Sequence, residues 1–181
     1  MAQIPQNTLN TLPPSYSIPL ISNYFQILPQ YLDRAEDSID ICIYTARYYR
    51  GRSNNVVNDF FKALRRACAR GVKVRMLLNS DFSSPQFRLS NEFIAKFFKQ
   101  ENFTVAFAGK STRLHAKMVL IDDNISVVGS HNFSRRAARS NFETSILTIS
   151  KPVNHQYRQQ FERLWKSRQL IKGKIGDPVT C

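Results

Sequence analysis

The chain is poor in cysteine, in acidic side chains and in long apolar runs. Its three cysteines, Cys42, Cys68 and Cys181, lie too far apart for a zinc-binding pattern, and their odd number argues against a disulfide scaffold. No apolar run approaches the roughly 20 residues of a membrane-spanning helix, and the first residues lack the basic and apolar regions of a secretory signal. We therefore expect a soluble protein of a reducing, cytoplasmic compartment with no transmembrane segment.

Basic residues outnumber acidic ones, with 26 Lys and Arg against 13 Asp and Glu, which gives a net charge of +13. A chain with this charge attracts polyanions. The first 32 residues contain no charged side chain, so the excess charge belongs to the rest of the chain. Two arginine-rich segments are candidates for contact with nucleic acid, and one of them includes tyrosines, which can stack on unpaired bases. These candidates are Arg47, Tyr48, Tyr49, Arg50, Arg52, Arg135, Arg136 and Arg139.

The apolar spacing along the chain alternates between that of strands and that of helices, which predicts an α/β fold. We expect a mixed, largely parallel β-sheet flanked by helices, with the loops after its first two strands at one edge. We assign residues 1–22 to an irregular N-terminal lead-in, 23–172 to a single domain and 173–181 to a tail. Strand patterns occur at 39–44, 72–78, 103–107, 118–121, 125–128 and 143–149, and helix patterns at 56–68, 93–98 and 157–165, with a further helix that Pro29 could open.

An imidazole and an amine stand two residues apart in front of a strand pattern. His115 and Lys117 precede the apolar run 118–121, and Asp122 follows that run at the start of a turn. Because alternate residues of a strand share a face, His115 and Lys117 should point to the same side, with Cα atoms roughly 6.6 Å apart. The same alternation places Asp122 on the opposite face, so we interpret it as structural support.

A second polar group follows the next strand pattern, 125–128. Gly129 lacks a side chain and permits close approach of the backbone, so we interpret it as structural support as well. Ser130 and Asn132 should share one face, and Glu143 stands eleven residues after Asn132. Two adjacent strands could therefore present both polar groups to one point that suits a phosphate.

Each of these residue types has a chemical use at such a point. A neutral imidazole can attack phosphorus and form a covalent intermediate, for which His115 is the candidate. The ammonium of Lys117 and the amide of Asn132 can stabilise negative charge on the phosphoryl oxygens. A carboxylate bonded to the far ring nitrogen would set the tautomer of the imidazole, and Glu143 is the candidate for that part. The candidate catalytic residues are His115, Lys117, Ser130, Asn132 and Glu143.

Some neighbouring residues have simpler explanations. His131 stands between two motif residues and should face away from them, and His155 falls in a polar, helix-like segment and should be a surface residue. Asp122 and Asp123 could suggest a metal pair, but neighbours on a strand diverge. We therefore expect neither a metal site nor another cofactor.

Taken together, the pattern resembles the signature of the phospholipase D superfamily, and the resemblance covers roughly residues 25–170. It implies that superfamily's fold and a metal-independent phosphodiesterase that works through a covalent phosphohistidine. The residues that carry the resemblance are His115, Lys117, Asp122, Gly129, Ser130, Asn132 and Glu143.

The chain carries a single copy of this pattern and no internal repeat that we can find. In members of the superfamily with two copies, two histidines build one active site, one attacking phosphorus and the other protonating the leaving oxygen. Short members that resemble this chain form homodimers with the site on the two-fold axis. The resemblance therefore implies an obligate homodimer in which His115 could face its counterpart.

Three kinds of function remain in competition. A nuclease that cuts DNA or RNA is favoured by the motif together with the basic charge, and a restriction-type nuclease that needs a specificity partner is one form of it. A lipid phosphodiesterase or transphosphatidylase is the second, since basic charge also suits anionic lipids, although no strongly apolar amphipathic helix supports it. A binding module with idle catalysis is the third, and the intact catalytic set argues against it. The tyrosine- and arginine-containing loop favours unpaired strands, but only slightly.

Overall fold

The computed structural model describes residues 16–51, 55–80, 85–98, 103–109 and 113–170. Strands and helices alternate through most of this length, and five helices and eight strands are formed there. In chain order the elements are β1 (Tyr16–Leu20), α1 (Tyr24–Leu32), β2 (Ser38–Ile43), α2 (Val56–Ala69), β3 (Lys73–Leu78), α3 (Pro85–Phe97), β4 (Phe103–Phe107), β5 (Met118–Ile121), β6 (Ile125–Gly129), α4 (Arg135–Arg139), β7 (Ser145–Ile149), α5 (Lys151–Lys166) and β8 (Gln169–Leu170).

The strands form one mixed sheet in the order β1-β7-β6-β5-β2-β3-β4-β8. The α/β class and the mixed sheet are as expected, but the sheet is less parallel than the sequence predicts. In the described part of the chain, β2–β3 and β3–β4 are the parallel pairings and the other five are antiparallel. Helical crossovers join β2, β3 and β4, whereas a tight turn joins β5 to β6 and forces them to run in opposite directions.

Helices cover both faces of the sheet, and alternate residues of β2 show the division. Ile41 belongs to the large core formed with α1, α2 and α3, whereas Cys42 belongs to a smaller core closed by Phe161 and Trp165 of α5. Because both faces of the central strands are buried, β5 consists entirely of apolar residues, and β2 is apolar except at Ser38 and Asp40.

A buried ion pair lies in the small core. The carboxylate of Asp40, which is fully buried on β2, accepts hydrogen bonds at 2.6 and 2.8 Å from Arg75 of β3. Arg158 of α5 also binds Asp40, and it reaches the carbonyl oxygen of Asp122 as well. This part of the basic charge therefore neutralises a buried acid and docks α5 on the sheet.

The N-terminal part of the domain differs from expectation in two ways. Residues 16–20, assigned to the irregular lead-in, form strand β1 and pair with β7 at the sheet edge. An edge strand tolerates Pro19 because one side of its backbone needs no partner. Helix α1 begins at Tyr24 and contains Pro29, instead of starting there. Residues 1–15 and the tail 173–181 lie outside the described residues.

Strand directions bring several chain segments together where the parallel strands end. We call this side of the sheet the carboxyl edge, which consists of strand ends and is distinct from the outermost strands. The parallel strands β2, β3 and β4 end there. The register Cys42↔Met118 places the start of β5 at the same edge, and Gly129↔Ser145 adds the end of β6 and the start of β7. Ligands bind outside the carboxyl ends of such parallel strands, so this edge is the place to look for a site.

Candidate active site

His115 and Lys117 meet at the carboxyl edge, immediately before β5. The Nζ of Lys117 lies 3.2 Å from Nδ1 and 3.1 Å from Nε2 of His115, and it donates a hydrogen bond of 2.7 Å to the carbonyl oxygen of His115. Because the ammonium is equally close to both ring nitrogens, it is not aligned with either lone pair. The two side chains therefore share one location, and His115 is exposed there.

The ring of Tyr44 forms one wall of this location. Its centroid lies 4.9 Å from that of His115 in an edge arrangement and 5.4 Å from the Nζ of Lys117. The sequence pattern predicts Tyr44 only as the last residue of a buried strand. Its position directly after β2, where the parallel strands end, is the signal that could have identified it.

The two side chains have different exposure, and both have perturbed pKa values. His115 is exposed, whereas Lys117 is buried, with 8% of its surface accessible. Desolvation, followed by the charges of Lys117 and Arg113, lowers the pKa of His115 below its ordinary value of 6.5. Desolvation also lowers the pKa of Lys117, and the charge of Glu143 opposes that shift. The imidazole is therefore neutral at pH 7, in the form that can act as a nucleophile.

Asn132 is held in place by the backbone after β2. Its Oδ1 accepts a hydrogen bond of 3.3 Å from the backbone N–H of Thr45. Since the oxygen is held in this way, the amide NH₂ of the same side chain points away from Thr45. The amide is thus fixed as a donor near the end of β2.

Ser130 and Glu143 form a pair of their own. The hydroxyl of Ser130 donates to Oε2 of Glu143 and accepts from the backbone N–H of Thr144 at 3.0 Å. Asn141 donates to the other carboxylate oxygen, Oε1, at 2.8 Å. The expected bond from Glu143 to the ring of His115 is not formed among the described residues, where the carboxylate binds these neighbours and keeps further lone pairs available.

Gly129 is required by the close approach of β6 and β7. A Cβ at this position would collide with the Oγ and Cα of Ser145. The same Ser145 hydroxyl lies 2.8 Å from Nδ1 of His131, and Nε2 of His131 lies 3.0 Å from the carbonyl oxygen of Ile21. Because a carbonyl can only accept, the proton of His131 is on Nε2. The glycine thus lets β7 approach closely enough for Ser145 to bind the buried imidazole, whose tautomer is set by the carbonyl of Ile21.

A family model described as "Cardiolipin synthase, PLD-like domain" matches residues 28–165, which include every one of these side chains except that of Ile21. The chain belongs to the phospholipase D superfamily. The family predicted from the motif is therefore confirmed.

Individual relatives of this phospholipase D-like domain differ in how much they share with it. A cardiolipin synthase A from Pseudomonas putida is 37% identical over 109 residues, which are 57% of this chain but 22% of that protein. A mitochondrial cardiolipin hydrolase from Xenopus tropicalis is 25% identical over 152 residues, or 84% of this chain and 66% of that protein. The chain therefore spans about a fifth of the length of the cardiolipin synthases that it matches.

Solved structures of the superfamily share the fold. NucT from Helicobacter pylori superposes with a TM-score of 0.70 at 20% identity, covering 87% of this chain and all of that one. At this level of identity the likeness concerns the fold alone. The α/β architecture expected from the sequence is thus confirmed.

Asp122 of the phospholipase D motif lies at the opposite edge of the sheet from His115. Its Oδ1 accepts backbone N–H bonds from Asp37 at 2.8 Å and Ser38 at 3.1 Å, at the start of β2. It occupies the β5–β6 turn with a φ of 47°, a conformation that Asp and Asn tolerate better than most residues. Asp122 thus ties this turn to β2 and has no contact with the carboxyl edge.

The tyrosines expected to stack on nucleic acid are used for packing instead. The ring of Tyr48 stacks on Phe97 with centroids 5.0 Å apart and meets Phe61 and Phe98 edge-on. The hydroxyl of Tyr49 accepts the backbone N–H of Arg135 at 2.8 Å. Both rings are partly buried against the large core. The expectation of a base-stacking loop at these two positions is therefore corrected.

The arginines of the two candidate segments lie at the surface. The guanidinium of Arg47 is 5.6 Å from the ring centroid of Phe87, and that of Arg50 is 4.6 Å from that of Phe93. Arg135 lies 5.9 Å from the ring of Tyr49, whereas Arg136 and Arg139 are exposed on α4. Arg52 lies outside the described residues. The positive charge of both segments thus follows the ends of β2 and β6, on the side of His115.

Two further observations concern membrane-spanning helices and metal sites. Within the described ranges, no helix combines the length and the apolar character needed to cross a membrane. Over the same ranges, no three His, Cys, Asp or Glu side chains gather into a group that could hold a metal ion.

Proposed function

We propose that this chain is a phosphodiesterase that cuts nucleic acid through a covalent phosphohistidine on His115. The observation that carries the proposal is a neutral imidazole, exposed at the carboxyl edge and in contact with the ammonium of Lys117. This pairing supplies a nucleophile and a fixed positive charge within one phosphate's width. The first displacement needs no metal-activated water, because a ring nitrogen is the attacking atom, and in the second displacement a general base can activate the water.

The reaction proceeds in two displacements at phosphorus. A ring nitrogen of His115 forms a P–N bond as the P–O bond to the leaving nucleoside breaks. The leaving oxygen takes a proton from a general acid. Water then attacks phosphorus and gives a proton to the conjugate base of that general acid, the P–N bond to His115 breaks, and a phosphate monoester is released. In both steps Lys117 and the amide of Asn132 stabilise charge on the phosphoryl oxygens.

A second imidazole is the natural acid for the leaving oxygen, and within the described chain only His115 is placed at the edge. His131 is buried with both ring nitrogens bonded, and His155 lies on α5, where it contacts Gln159. A homodimer would supply the second imidazole by bringing two copies of His115 together, and the copy that acts as the acid must carry a proton while the other is neutral. Glu143 would then keep its part in setting a tautomer, by orienting the ring of the other copy.

Nucleic acid is the substrate class that the surface charge favours. The net charge of +13 and the arginines that follow β2 and β6 suit a polyanionic strand passing over His115. The carboxyl edge offers little that could recognise individual bases. We therefore expect weak sequence preference, unless a specificity subunit provides it, as in a restriction-type enzyme.

A lipid phosphodiesterase is the second candidate, and a specific observation favours it. Two relatives of the chain are named cardiolipin synthase A and mitochondrial cardiolipin hydrolase. A cardiolipin headgroup is a phosphodiester, so the same displacement by His115 would serve. The two candidates therefore differ in what holds the substrate and agree on the chemistry.

One panel of substrates tests both candidates. Single- and double-stranded DNA and RNA, and vesicles containing cardiolipin, are incubated with the protein in excess EDTA, with the His115→Ala variant as blank. We expect cleavage of nucleic acid by the parent protein alone, and the panel then also identifies the preferred strand. Cleavage of cardiolipin alone would overturn the nuclease in favour of the lipid enzyme. Cleavage that requires a divalent cation would overturn the metal-independent mechanism.

A further inference from the structure

Phe142 is nearly fully exposed although it lies next to the candidate site. The accessible fraction of its surface is 97%, the highest of the large apolar side chains in the described ranges. It directly precedes Glu143, whose carboxylate is bonded to Ser130 of the motif. A single exposed apolar side chain is common at protein surfaces, so what distinguishes Phe142 is its place in the fold. Phe142 is one residue from a catalytic candidate, so a substrate bound at the site is the molecule that we expect to contact its ring.

The segment around Phe142 is pinned on both sides. Before it, the backbone N–H groups of Ser140 and Asn141 both bind the carbonyl oxygen of Arg136 at 2.9 Å. After it, Glu143 accepts from Asn141 at 2.8 Å and from Ser130. The ring is therefore presented from a fixed backbone, and ordering this segment on binding costs little entropy.

The carboxylate of Glu143 beside Phe142 is bonded to Ser130 and Asn141, and the exposed charges on the preceding helix are positive. Arg136 and Arg139 are exposed on α4, and the segment that carries Phe142 follows this helix directly. Arginine pairs with phosphate, and an aromatic ring stacks on the face of a base. A ring that follows a helix with exposed arginines thus offers both kinds of contact that one unpaired nucleotide requires.

The apolar surface here is small. Ile146, the next exposed apolar residue along the chain, lies four positions beyond Phe142, which is roughly 13 Å in an extended segment. A stable protein interface buries about 800 Å² on each partner, far more than one ring presents. A single planar group such as a base is matched to it in size.

We propose that Phe142 stacks on an unpaired base next to the scissile phosphate, so that the site prefers single-stranded nucleic acid. This inference rests on the proposed nuclease function. It assigns to Phe142 the base stacking that Tyr48 and Tyr49 cannot provide, because their rings are packed against the core. In a duplex, base faces are covered by their neighbours, and Phe142 has no partner there.

The test measures binding to oligonucleotides by fluorescence anisotropy in the full-length His115→Ala background, in EDTA, so that nothing is cut. The probes are a single-stranded oligothymidylate, an abasic oligomer with the same number of phosphates, and a hairpin duplex. Phe142→Ala should weaken binding of oligothymidylate roughly 5- to 100-fold, the range that loss of a base–aromatic stack produces. It should leave binding of the abasic oligomer and of the duplex within about twofold of the parent.

Three variants serve as controls. Phe142→Leu keeps much of the apolar volume without a ring and should bind like Phe142→Ala, whereas Phe142→Trp should restore affinity, with fluorescence of the added indole quenched by the oligothymidylate. Tyr16→Ala removes a ring that is 65% exposed at the far end of β1, paired with Ile149 away from the carboxyl edge. It should change nothing.

Other outcomes overturn the inference in recognisable ways. Equal losses of affinity for the oligothymidylate and the abasic oligomer would mean that Phe142 contributes to binding without contacting a base. A weaker dimer in sedimentation of Phe142→Ala would make the ring part of an interface, and loss of binding to anionic vesicles would make it a membrane contact. If the background protein binds none of the oligomers, the proposed nuclease function fails together with the inference. If the background protein binds the oligomers and Phe142→Ala leaves that binding unchanged, only the stacking inference is overturned.

Discussion

Two histidines sixteen residues apart show how much of this site depends on surroundings. His115 is exposed beside Lys117 at the carboxyl edge. His131 has 1% of its surface accessible, its ring stacks on Tyr24 with centroids 4.3 Å apart, and both ring nitrogens are bonded. The same side chain is thus a candidate nucleophile in one loop and a structural member of the core in the other.

The pKa values of both rings are lowered, yet only one of the rings can reach a substrate. Desolvation is the largest cause in each case. At His115 the charges of Lys117 and Arg113 add to it, whereas at His131 the hydrogen bond to Ile21 and the charge of Glu143 oppose it. A lowered pKa therefore does not identify a nucleophile by itself. What identifies the nucleophile is the access of its ring nitrogen to substrate.

The largest effect that separates the two rings is expected from His115→Ala. Removing the attacking atom should lower kcat by at least about 10⁴-fold, as loss of a catalytic nucleophile does in other enzymes. The melting temperature should stay close to that of the parent protein, because His115 is exposed. Single-turnover kinetics and a thermal melt measure the two quantities. Turnover that survives this substitution would mean that the nucleophile is misassigned.

Lys117→Ala tests whether the partner of His115 acts on the transition state. We expect kcat to fall by roughly 10²- to 10³-fold with little change in KM, as for loss of one oxyanion donor. Asn132→Ala should behave in the same way, since its amide is fixed by Thr45. Steady-state kinetics on both variants check this. A rise in KM at constant kcat would assign these residues to substrate binding only.

His131→Gln should affect stability and leave the chemistry intact. Loss of a buried ring with two hydrogen bonds should lower the free energy of unfolding by about 2–3 kcal/mol, measured by urea denaturation. Per folded molecule, turnover should match the parent protein. A large fall in kcat in the folded variant would bring His131 into the catalytic site after all.

The same variant also tests the protonation of His131. Its lowered pKa means that the unfolded chain binds a proton more readily than the folded chain. This contribution to stability is therefore complete above about pH 6.5 and is lost as the pH falls below that value. Between pH 7 and pH 5.5, the stability of His131→Gln should decline less steeply than that of the parent protein. Parallel declines would show that His131 does not titrate differently on unfolding.

The smallest effect is expected from Arg113→Ala, which removes one of the charges that lower the pKa of His115. In the parent protein, NMR titration should place this pKa below 6.5, and the variant should move it upward. The acidic limb of kcat/KM should move upward with it, because protonation removes the nucleophile. A downward or absent shift would mean that Arg113 does not act on His115 through its charge.

The central elements could be predicted from local sequence because each carries its own pattern. Valine and isoleucine runs around an Asp-Asp-Asn turn predict β5 and β6, and the structure has both, at Met118–Ile121 and Ile125–Gly129. The apolar stripe that ends before Gly71 predicts α2, which ends at Ala69. In these segments local propensity and tertiary packing favour the same structure.

Elements whose form depends on distant partners could not be predicted in this way. β1 contains a proline and exists because β7 offers it an edge to pair with. Tyr48 sits among arginines, a context that suggests a surface loop, yet its ring packs against Phe97 of α3 and the following Phe98. Burial of an aromatic ring outweighs the polar character of its neighbours.

The sequence by itself determined the family and the chemical parts of the site, because imidazole, amine, amide and carboxylate groups at these spacings follow from the order of residues alone. It also determined the excess of positive charge. Only the tertiary structure decided that Glu143 binds Ser130 and Asn141, that His131 is sealed against Tyr24, and that Phe142 stands alone in solvent. These outcomes depend on which strands become neighbours, and burial and hydrogen bonding between segments far apart in sequence are settled only when the sheet is assembled.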